Sequence, residues 1–429
     1  MKLALVVQRY GSEVLGGSEQ LCRLLAERLA ASHDVDVITT CARDYVTWKN
    51  EYQEGTDRIR GVTVRRFANS QTRDLSAFNR QSDWIFANAH SRADEMEWLK
   101  QQGPWCPGLI DYLKRAHQQY DVLVFFTYLY APTALGIQVS PGKSLLVSTA
   151  HDEPAIELDI FKDVFRVPGA VCYLTDSERQ FVKSRFPDRP LLEEVVGVGV
   201  DIPPQRPYPK VATVSDEGTP ADGDDSTATE ESSPGRDYTP SHLMSRGATF
   251  RRRHRLHGAV ALYGGRIDPG KGCEELIEYF SAYVKEGGDA TLALMGAKLM
   301  SLPEEPYIRF AGMLSDSERV QALEAATVVV CPSPYESLSL LALEAMAVGT
   351  PILVNARSAV LVEHCVKSNG GLYYANQDEF VECLKLLVSD VNLRAALGQN
   401  GRDYVRHNFR WDVVLGKYER LFAKLRNAR

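Results

Sequence analysis

PSPYESLSLLALEAMAVGTPI, residues 332–352, is the stretch that decides the fold of this chain. It includes the end of the apolar run TVVVCPS, which predicts a buried strand, and the run LLALEAMAV, which predicts a helix. Ser337 or Ser339 can cap the start of that helix, and a Gly-Thr-Pro sequence that begins at Gly349 ends it. A strand, a short turn and a helix in this order are typical of a parallel α/β sheet.

Two glutamates lie eight residues apart in this stretch. Glu336 falls in the loop before the helix, and Glu344 lies more than one turn inside it. If both were helical, they would be ~80° apart around the axis and ~12 Å apart along it, so they could hold the two ends of one extended polar ligand. The free N–H groups between them can bind a phosphate. The alternative is that Glu336 helps to cap the helix and Glu344 faces solvent, although a helix so apolar predicts a dedicated partner for Glu344.

A second strand-loop-helix unit precedes this one. YGGRIDPGKGCEELIEYF, residues 263–280, places Arg266 just after an apolar strand and Lys271 at the start of a helix. Ligands of open α/β sheets bind beyond the carboxyl ends of the strands, and an arginine with a lysine there suits a diphosphate. The alternative is that Lys271 and its flanking glycines only form the entry to the helix. The stretch is not a P-loop, since GxxxxGK[ST] is absent.

The rest of the chain repeats the alternation of strands and helices in two halves. LALVVQ, VDVITT, DVLVFF and AVCYLT are among the predicted strands of the first half, and AVALYGG, ATLALMG and PILVN are among those of the second. This pattern predicts two parallel sheets with helices on both faces. We expect an N-terminal domain over 1–206, a linker with a basic segment over 207–257, a C-terminal domain over 258–405 and a last helix over 406–429.

The predicted linker is first acidic and then basic. VSDEGTPADGDDSTATEESSPGRD holds too few apolar residues to fold by itself and predicts a flexible connection. RRRHR, residues 251–255, follows it. This run predicts either a solvated helix face or a patch for anionic lipid or an acidic partner.

Composition excludes several classes of function. The 429 residues carry a net charge of −7, which argues against nucleic acid as a main partner. The 8 cysteines form no C-x-x-C pair and predict small buried side chains in a reducing compartment. No apolar run approaches the ~20 residues that span a bilayer. We therefore expect a cytoplasmic protein, with peripheral contact at the inner membrane face left open.

Two segments together resemble glycosyltransferase family 4 (glycosyl transferases group 1), a family of retaining enzymes with the GT-B fold. They are the G-R-x4-K-G segment that contains Arg266 and Lys271 and the E-x7-E segment from Glu336 to Glu344, in that order. Weaker matches are GGSEQ near the N-terminus, STAHDEP at 148–154, VGVGVD ending at Asp201 and the C-terminal HNFRWDVVLGKYERLF. The resemblance implies two Rossmann-like parallel-sheet domains facing across a cleft, with the C-terminal helix crossing back to the first domain. The long acidic linker departs from the family's short connection.

The resemblance also implies roles for single residues. Glu344 would bind the ribose hydroxyls of a nucleotide, and Glu336 would bind hydroxyls of the donor sugar. Arg266 and Lys271 would neutralise charge that builds on the leaving phosphate. His151, in the segment STAHDEP, would contact the donor sugar beside the reacting carbon. The alternative for His151 is an ordinary histidine at a strand end.

Backbone groups complete the implied site. The amides after Glu336 would receive the diphosphate, glycines near the N-terminus would let the backbone approach it, and the base would lie against residues 309–312. The implied catalytic residues are Arg266, Lys271, Glu336 and His151. The implied donor-binding residues are Gly16, Gly17, Gly265, Ser337, Leu338, Ser339, Leu340, Glu344, Arg309 and Gly312.

The function implied by the resemblance is front-face transfer of a sugar with retention of configuration. The donor would be a nucleotide-diphospho-sugar, and the acceptor hydroxyl would belong to a glycan, a glycolipid or other lipid-linked molecule, or a small secondary metabolite, as in polysaccharide biosynthesis. No cofactor and no metal are expected, because the departing phosphate can itself take the acceptor's proton while the protein positions the reactants.

Three alternatives stay open at this point. A metal-dependent transferase would use an Asp-x-Asp motif, for which Asp34–Asp36 and Asp222–Asp224 are candidates, although the first reads as the start of a strand and the second lies in the linker. A nucleotide-sugar epimerase or hydrolase on the same plan would act without an acceptor. A binding protein without turnover would keep only the donor residues.

Overall fold

The N-terminal part of the chain forms one sheet. The structure, a computed structural model, describes residues 1–14, 16–188, 190, 192–203 and 246–428. The strands are β1 Lys2–Val6, β2 Asp34–Thr40, β3 Gly55–Ile59, β4 Val62–Phe67, β5 Val122–Phe126, β6 Ser144–Val147, β7 Ala170–Tyr173 and β8 Glu193–Val195. Their order is β3-β4-β2-β1-β5-β6-β7-β8, and every pair is parallel except β3 with β4. Helices cover both faces, so central strands such as β5 are buried on both sides.

The helices of this part follow the strands in the alternation that the sequence predicts. They are α1 Gly17–Leu29, α2 Leu75–Ala87, α3 Arg92–Gln102, α4 Pro107–Ala116, α5 Ala131–Gly136, α6 Asp159–Arg166 and α7 Asp176–Arg185. In α1, the buried side chains recur at helical spacing and face the sheet.

The C-terminal part forms a second, fully parallel sheet. Its strands are β9 Ala259–Gly264, β10 Ala290–Met295, β11 Ile308–Gly312, β12 Val328–Cys331, β13 Ile352–Asn355 and β14 Gly371–Tyr374, in the order β11-β10-β9-β12-β13-β14. The helices are α8 Arg246–Arg253, α9 Cys273–Lys285, α10 Asp316–Ala325, α11 Leu340–Val348, α12 Ala359–Ser368, α13 Gln377–Ser389, α14 Val391–Asn408 and α15 Trp411–Asn427. The expectation of two parallel-sheet domains is confirmed.

The last helix returns to the first sheet. Tyr418, Leu421 and Phe422 of α15 are fully buried in a core that also contains side chains of β1, β5 and β7. Lys417 Nζ donates to the carbonyls of Val195 and Val196 at 3.2 and 3.3 Å. The expected crossing of the C-terminal helix is therefore confirmed.

The two parts also meet where α7 begins. Glu363 of α12 accepts hydrogen bonds from the amides of Asp176 and Ser177, at 3.1 and 2.6 Å. Lys367 Nζ lies 2.6 Å from carboxylate oxygens of both Asp176 and Glu363. A carboxylate at a helix N-terminus is stabilised by the unpaired amides there, so this contact fixes one edge of the space between the sheets.

The basic segment is part of the C-terminal domain. Phe250 of α8 is buried in its core, Arg251 donates to the carbonyls of Ala325 and Gly258, and Arg253 pairs with Glu318 of α10. The described end of the predicted segment 207–257 thus contains a helix packed on the C-terminal domain, and its basic run lies at the end of that helix. The acidic run lies outside the described residues.

Two expectations from composition can be compared with the structure. The 8 cysteines are free, and all but the half-buried Cys383 are buried, as predicted. Of the helices that the structure describes, none is both long enough and apolar enough to cross a membrane.

We predict that Phe422→Ala will lower the free energy of unfolding by about 3–5 kcal/mol, because removing a buried aromatic side chain leaves a cavity. Urea unfolding followed by circular dichroism measures this change. Phe310→Ala is the control, since Phe310 is 45% exposed on β11 and its loss should shift the midpoint little. A wild-type midpoint for Phe422→Ala would contradict the packing of α15 on the first sheet.

Candidate functional site

The loop after β9 begins with a close approach of two backbones. Gly265 donates its amide to the carbonyl of Met295 at 3.0 Å, at the carboxyl ends of β9 and β10. Gly296 has a φ of 123°, and a Cβ there would lie 1.9 Å from the carbonyl oxygen of Gly265. Only glycine fits at position 296, because the backbone of Gly265, just before Arg266, lies against it.

Arg266 reaches across the space between the two domains. Its Nη1 donates to the hydroxyl of Tyr45 at 3.0 Å, and its guanidinium carbon lies 5.4 Å from the centre of the Tyr45 ring. Its Nε lies 3.4 Å from a carboxylate oxygen of Asp268. Since Tyr45 belongs to the N-terminal domain, Arg266 lies in the cleft between the two domains and contacts both sides of it.

Lys271 is held on the same loop and faces Glu336. The side chain of Asp268 accepts from the Lys271 amide at 2.9 Å and starts the short turn that leads into α9. Lys271 Nζ lies 2.8 Å from Glu336 Oε1, and both side chains are half-buried. The predicted cation and the predicted carboxylate are therefore brought together as an ion pair that an anionic ligand can open.

The start of α11 presents unpaired amides to the cleft. Ser339 is the N-cap, has a φ of 67°, and accepts from the amide of Ala342 at 3.4 Å. Within the described residues, nothing in the chain accepts from the amides of Leu340 and Leu341. His364 Nε2 donates to the carbonyl of Leu338 at 2.7 Å and so fixes the preceding turn. Residues 337–340 thus lie where an anion-binding helix start is expected.

Glu344 has the dedicated partner that the sequence predicted. Its carboxylate lies 2.5 Å from Arg319 Nη2 on α10. Burial raises the pKa of Glu344, and Arg319 opposes that rise. Both side chains keep about a quarter of their surface exposed, so the Glu344 carboxylate is still open to a ligand in the cleft.

His151 faces the C-terminal domain from the opposite wall. Its ring centre lies 6.4 Å from that of Tyr335, the neighbour of Glu336, and its Nε2 lies 3.6 Å from Glu153 Oε1. Glu153 accepts from the hydroxyl of Tyr128 at 2.5 Å, which holds this carboxylate in place. The structure therefore brings His151 to the Glu336 side of the cleft.

Gly16 and Gly17 lie at the start of α1, above a buried ion pair. Arg9 Nη2 and Glu19 Oε1 are 2.6 Å apart, and both side chains are almost completely buried. A Cβ on Gly16 would lie 2.1 Å from Glu19 Oε2, whereas a Cβ on Gly17 would meet nothing within 4 Å. Gly16 thus makes room for the ion pair, and Gly17 leaves the helix start open.

Arg309 and Gly312, the two residues predicted to lie beside the base, occupy different ends of β11. Gly312 ends β11, and its carbonyl accepts from the amide of Gly296 at 2.9 Å, so it lies at the cleft edge of the sheet. Arg309 lies near the start of the same strand and donates to the carbonyl of Ile308. About three residues of extended strand separate Arg309 from Gly312 at the carboxyl end.

The Asp-x-Asp candidate that the structure describes is structural. Asp36 is buried in β2 and accepts from Tyr120 Oη at 2.6 Å and Arg65 Nε at 3.0 Å, while Asp34 pairs with Lys2 at the surface. Asp222–Asp224 lies outside the described residues. In the part of the chain that the structure describes, no three His, Cys, Asp or Glu side chains are grouped as metal ligands would be.

Sequence reasoning missed the groups that support the predicted ones. Arg319 and Tyr45 contact Glu344 and Arg266, predicted site residues that are distant from them in the sequence. Tyr335 lies next to Glu336 and is 56% exposed in the cleft. An exposed aromatic beside a polar strand end was the one local signal that could have been used.

Comparisons with known proteins agree with this architecture. Sucrose-phosphate synthase from Thermosynechococcus elongatus superimposes over 100% of both chains with a TM-score of 0.67 and 18% identity. Anabaena Alr3699/HepE in complex with UDP and glucose covers 99% of this chain and 100% of its own, with a TM-score of 0.66 and 15% identity. The fold is therefore the expected GT-B fold.

The sequence comparisons concern mainly the second domain. Residues 249–404 match the family model described as glycosyl transferases group 1. A D-inositol 3-phosphate glycosyltransferase of Corynebacterium efficiens is 29% identical over 220 residues, which are 46% of this chain and 51% of that protein. The match thus spans about half the length of this relative. This sequence similarity and the GT-B fold together support the assignment of the chain as a glycosyltransferase.

We predict that Lys271→Met will weaken the binding of pyrophosphate about tenfold or more, since a charge-assisted hydrogen bond contributes roughly 1.5–3 kcal/mol. Glu336→Gln should leave binding equal or tighter, because Glu336 competes with the anion for Lys271. Titration calorimetry at low salt measures both. Lys285→Met, at the exposed end of α9, is the matched control and should bind as wild type. Unchanged affinity in Lys271→Met would remove Lys271 from the anion site.

Proposed function

We propose that this protein is a retaining glycosyltransferase that moves a sugar from a nucleotide-diphospho-sugar to an acceptor hydroxyl. The observation that carries the proposal is the Lys271–Glu336 ion pair of 2.8 Å, set in one cleft with Arg266 and the open start of α11. Two cations and a row of amides suit the diphosphate of a donor. A carboxylate beside them suits sugar hydroxyls.

Lys271 changes partner in this proposal. In the structure, the charge of Lys271 is met by Glu336. A bound diphosphate draws Lys271 away, and the freed Glu336 carboxylate then accepts hydrogen bonds from hydroxyls of the donor sugar. Charge on the leaving phosphate rises in the transition state, where Arg266, Lys271 and the α11 amides stabilise it more strongly than in the ground state.

Glu344 binds the other end of the donor. It lies on α11 beyond the phosphate-binding turn, so its carboxylate can accept from ribose hydroxyls while Arg319 holds it in place. Gly312 leaves open space at the end of β11, next to Gly296 at the end of β10, and the base can lie in this space. The donor is thus extended along the start of α11.

Transfer proceeds on the face of the sugar that the leaving phosphate occupies. The acceptor oxygen forms a bond to the reacting carbon as the bond to the phosphate oxygen breaks, and the phosphate takes the acceptor proton. His151, on the wall that faces Tyr335 and Glu336, contacts the sugar beside this carbon. No metal or cofactor has a role, since protein cations and amides meet the phosphate charge. A glycan, lipid-linked or small-molecule acceptor enters from the N-terminal domain.

The proposal is tested with UDP-, GDP-, ADP- and dTDP-sugars and a panel of acceptors in excess EDTA. We expect turnover with one donor, a product with the donor's anomeric configuration by proton NMR, and a loss of roughly 10²-fold or more in kcat for Lys271→Met. Inversion would contradict retention, and metal-reversible loss of activity would contradict metal independence. Hydrolysis or epimerisation without an acceptor would favour that alternative, and binding without turnover would indicate a non-catalytic protein.

We predict that the two glutamates act on different parts of the donor. Glu344→Gln should weaken binding of the free nucleoside diphosphate about tenfold, as expected for the loss of a charged acceptor worth roughly 1.5–3 kcal/mol. Glu336→Gln should not weaken that binding but should impair transfer from the whole nucleotide sugar. Calorimetry with the diphosphate and initial rates with the donor separate the two effects.

Arg319→Met is the control for the Glu344 variant. It removes the partner of Glu344 and keeps the carboxylate, so it should affect diphosphate binding less than Glu344→Gln does. Equal loss of diphosphate binding in the Glu336 and Glu344 variants, or no loss in either, would show that the proposed orientation of the donor is wrong.

A further inference from the structure

Glu178 is a buried carboxylate to which the transfer mechanism above assigns no role. It is the third residue of α7 and is 1% exposed. Its Oε1 accepts from the hydroxyl of Ser148 and from the amide of Ala150 at 2.7 Å, and its Oε2 accepts from the amide of Leu174. One side chain thus joins the turn after β6 to the turn after β7.

An ordinary helix cap does not explain this arrangement. In the capping box at the start of α10, the half-buried Glu318 accepts from the amide and hydroxyl of Ser315, the N-cap of its own helix, and pairs with Arg253 at the surface. Glu178 instead reaches a different strand. Burial raises the pKa of Glu178 to about 7, and the hydrogen bonds from Ser148, Leu174 and Ala150 oppose that rise, so these donors offset part of the cost of burying the carboxylate.

The turn after β6 is strained, and Glu178 holds both of its sides. Thr149 has a φ of 48°, which is unfavourable for a β-branched residue. Ser148 before it and Ala150 after it both donate to Glu178 Oε1. Such a backbone conformation persists only where the surrounding structure fixes it. His151 directly follows Ala150, so its position depends on this turn.

The turn after β7 also contacts the C-terminal domain, through Thr175. Thr175 is the N-cap of α7, and its Oγ1 accepts from the amide of Glu178 at 3.1 Å. The same hydroxyl lies 3.5 Å from the carbonyl oxygen of Ser337, in the turn that leads to α11. The turn before His151 and the turn at Thr175, two parts of the N-terminal wall that approach the proposed donor site, are therefore both connected to Glu178.

We propose that Glu178 is a positioning residue that fixes the strained turn at Thr149 and so sets the place of His151 against the donor sugar. This inference rests on the proposed function, in which His151 contacts that sugar. Glu178 itself is buried and touches no substrate. Its effect is on the rate of transfer through His151, and the nucleotide half of the donor, which lies on the C-terminal domain, is bound independently of it.

The test compares Glu178→Gln with Glu95→Gln. Glu95 is a matched control because it is 3% exposed and accepts from the amides of Asp159 and Ile160 at 2.9 and 2.8 Å, in another part of the same domain. Glu178→Gln should lower kcat roughly 10- to 100-fold, as expected for a small displacement of a contact group. Its KM for the donor and its affinity for the nucleoside diphosphate should stay within about twofold of wild type, and Glu95→Gln should retain wild-type kcat.

A double variant distinguishes positioning from a general structural effect. If Glu178 acts through His151, then adding Glu178→Gln to His151→Ala should lower kcat less than about twofold further. Independent, multiplying losses, or a wild-type kcat in Glu178→Gln, would overturn the proposal. If Glu178→Gln fails to fold, Ser148→Ala takes its place, since it removes one donor of the same turn and should show the same dependence on His151.

A second readout does not depend on transfer. In protein labelled with 13C at histidine Cε1, the His151 signal, assigned with His151→Gln, should shift in Glu178→Gln and stay in place in Glu95→Gln. If wild-type protein transfers no sugar, the proposed function fails while this shift still supports the positioning role. An unmoved His151 signal in a folded Glu178→Gln would overturn it.

Discussion

The structure depends on one geometric constraint: the parallel strands of two sheets end at the same cleft. Each functional candidate with a side chain in that cleft follows the carboxyl end of a strand, Arg266 and Lys271 after β9, Glu336 after β12 and His151 after β6. In open α/β sheets this edge is where backbone amides and helix starts are exposed, so charged side chains gather there at little cost to the core. The cleft therefore concentrates polar chemistry between two domains whose strands are otherwise apolar.

A few contacts set the separation of the two walls. Glu363 and Lys367 of the C-terminal domain hold the start of α7, while Glu178 holds the same helix start from within the N-terminal domain. These contacts hold the start of α7 from both domains. Because Glu178 also holds the turn that precedes His151, a change at the start of α7 is expected to reach the sugar end of the proposed donor site.

Much of the fold and part of the candidate site could be predicted from sequence because their signals are local. Strand-helix alternation gave both sheets, and the spacing of Arg266, Lys271, Glu336 and Glu344 marked one cleft. Arg319 could not be predicted as the partner of Glu344, since only folding brings α10 to α11. Glu178 could not be predicted as the link between two turns, because Ser148 and Ala150 lie 30 and 28 residues before it in the chain. For the basic run, a solvated helix face was one of two predictions, and the packing of Phe250 in α8 shows that this helix is part of the domain.

The central claim is that a donor diphosphate separates Lys271 from Glu336 at the start of α11. A crystal structure of the protein with the nucleoside diphosphate of its donor measures this directly. We predict a phosphate oxygen about 2.7–2.9 Å from Lys271 Nζ, the usual length of such a charged contact. Amides of Leu340 and Leu341 should face the same phosphate, and the ribose should meet Glu344. A diphosphate bound elsewhere, or one bound in the cleft with Lys271 still paired to Glu336, would contradict the account.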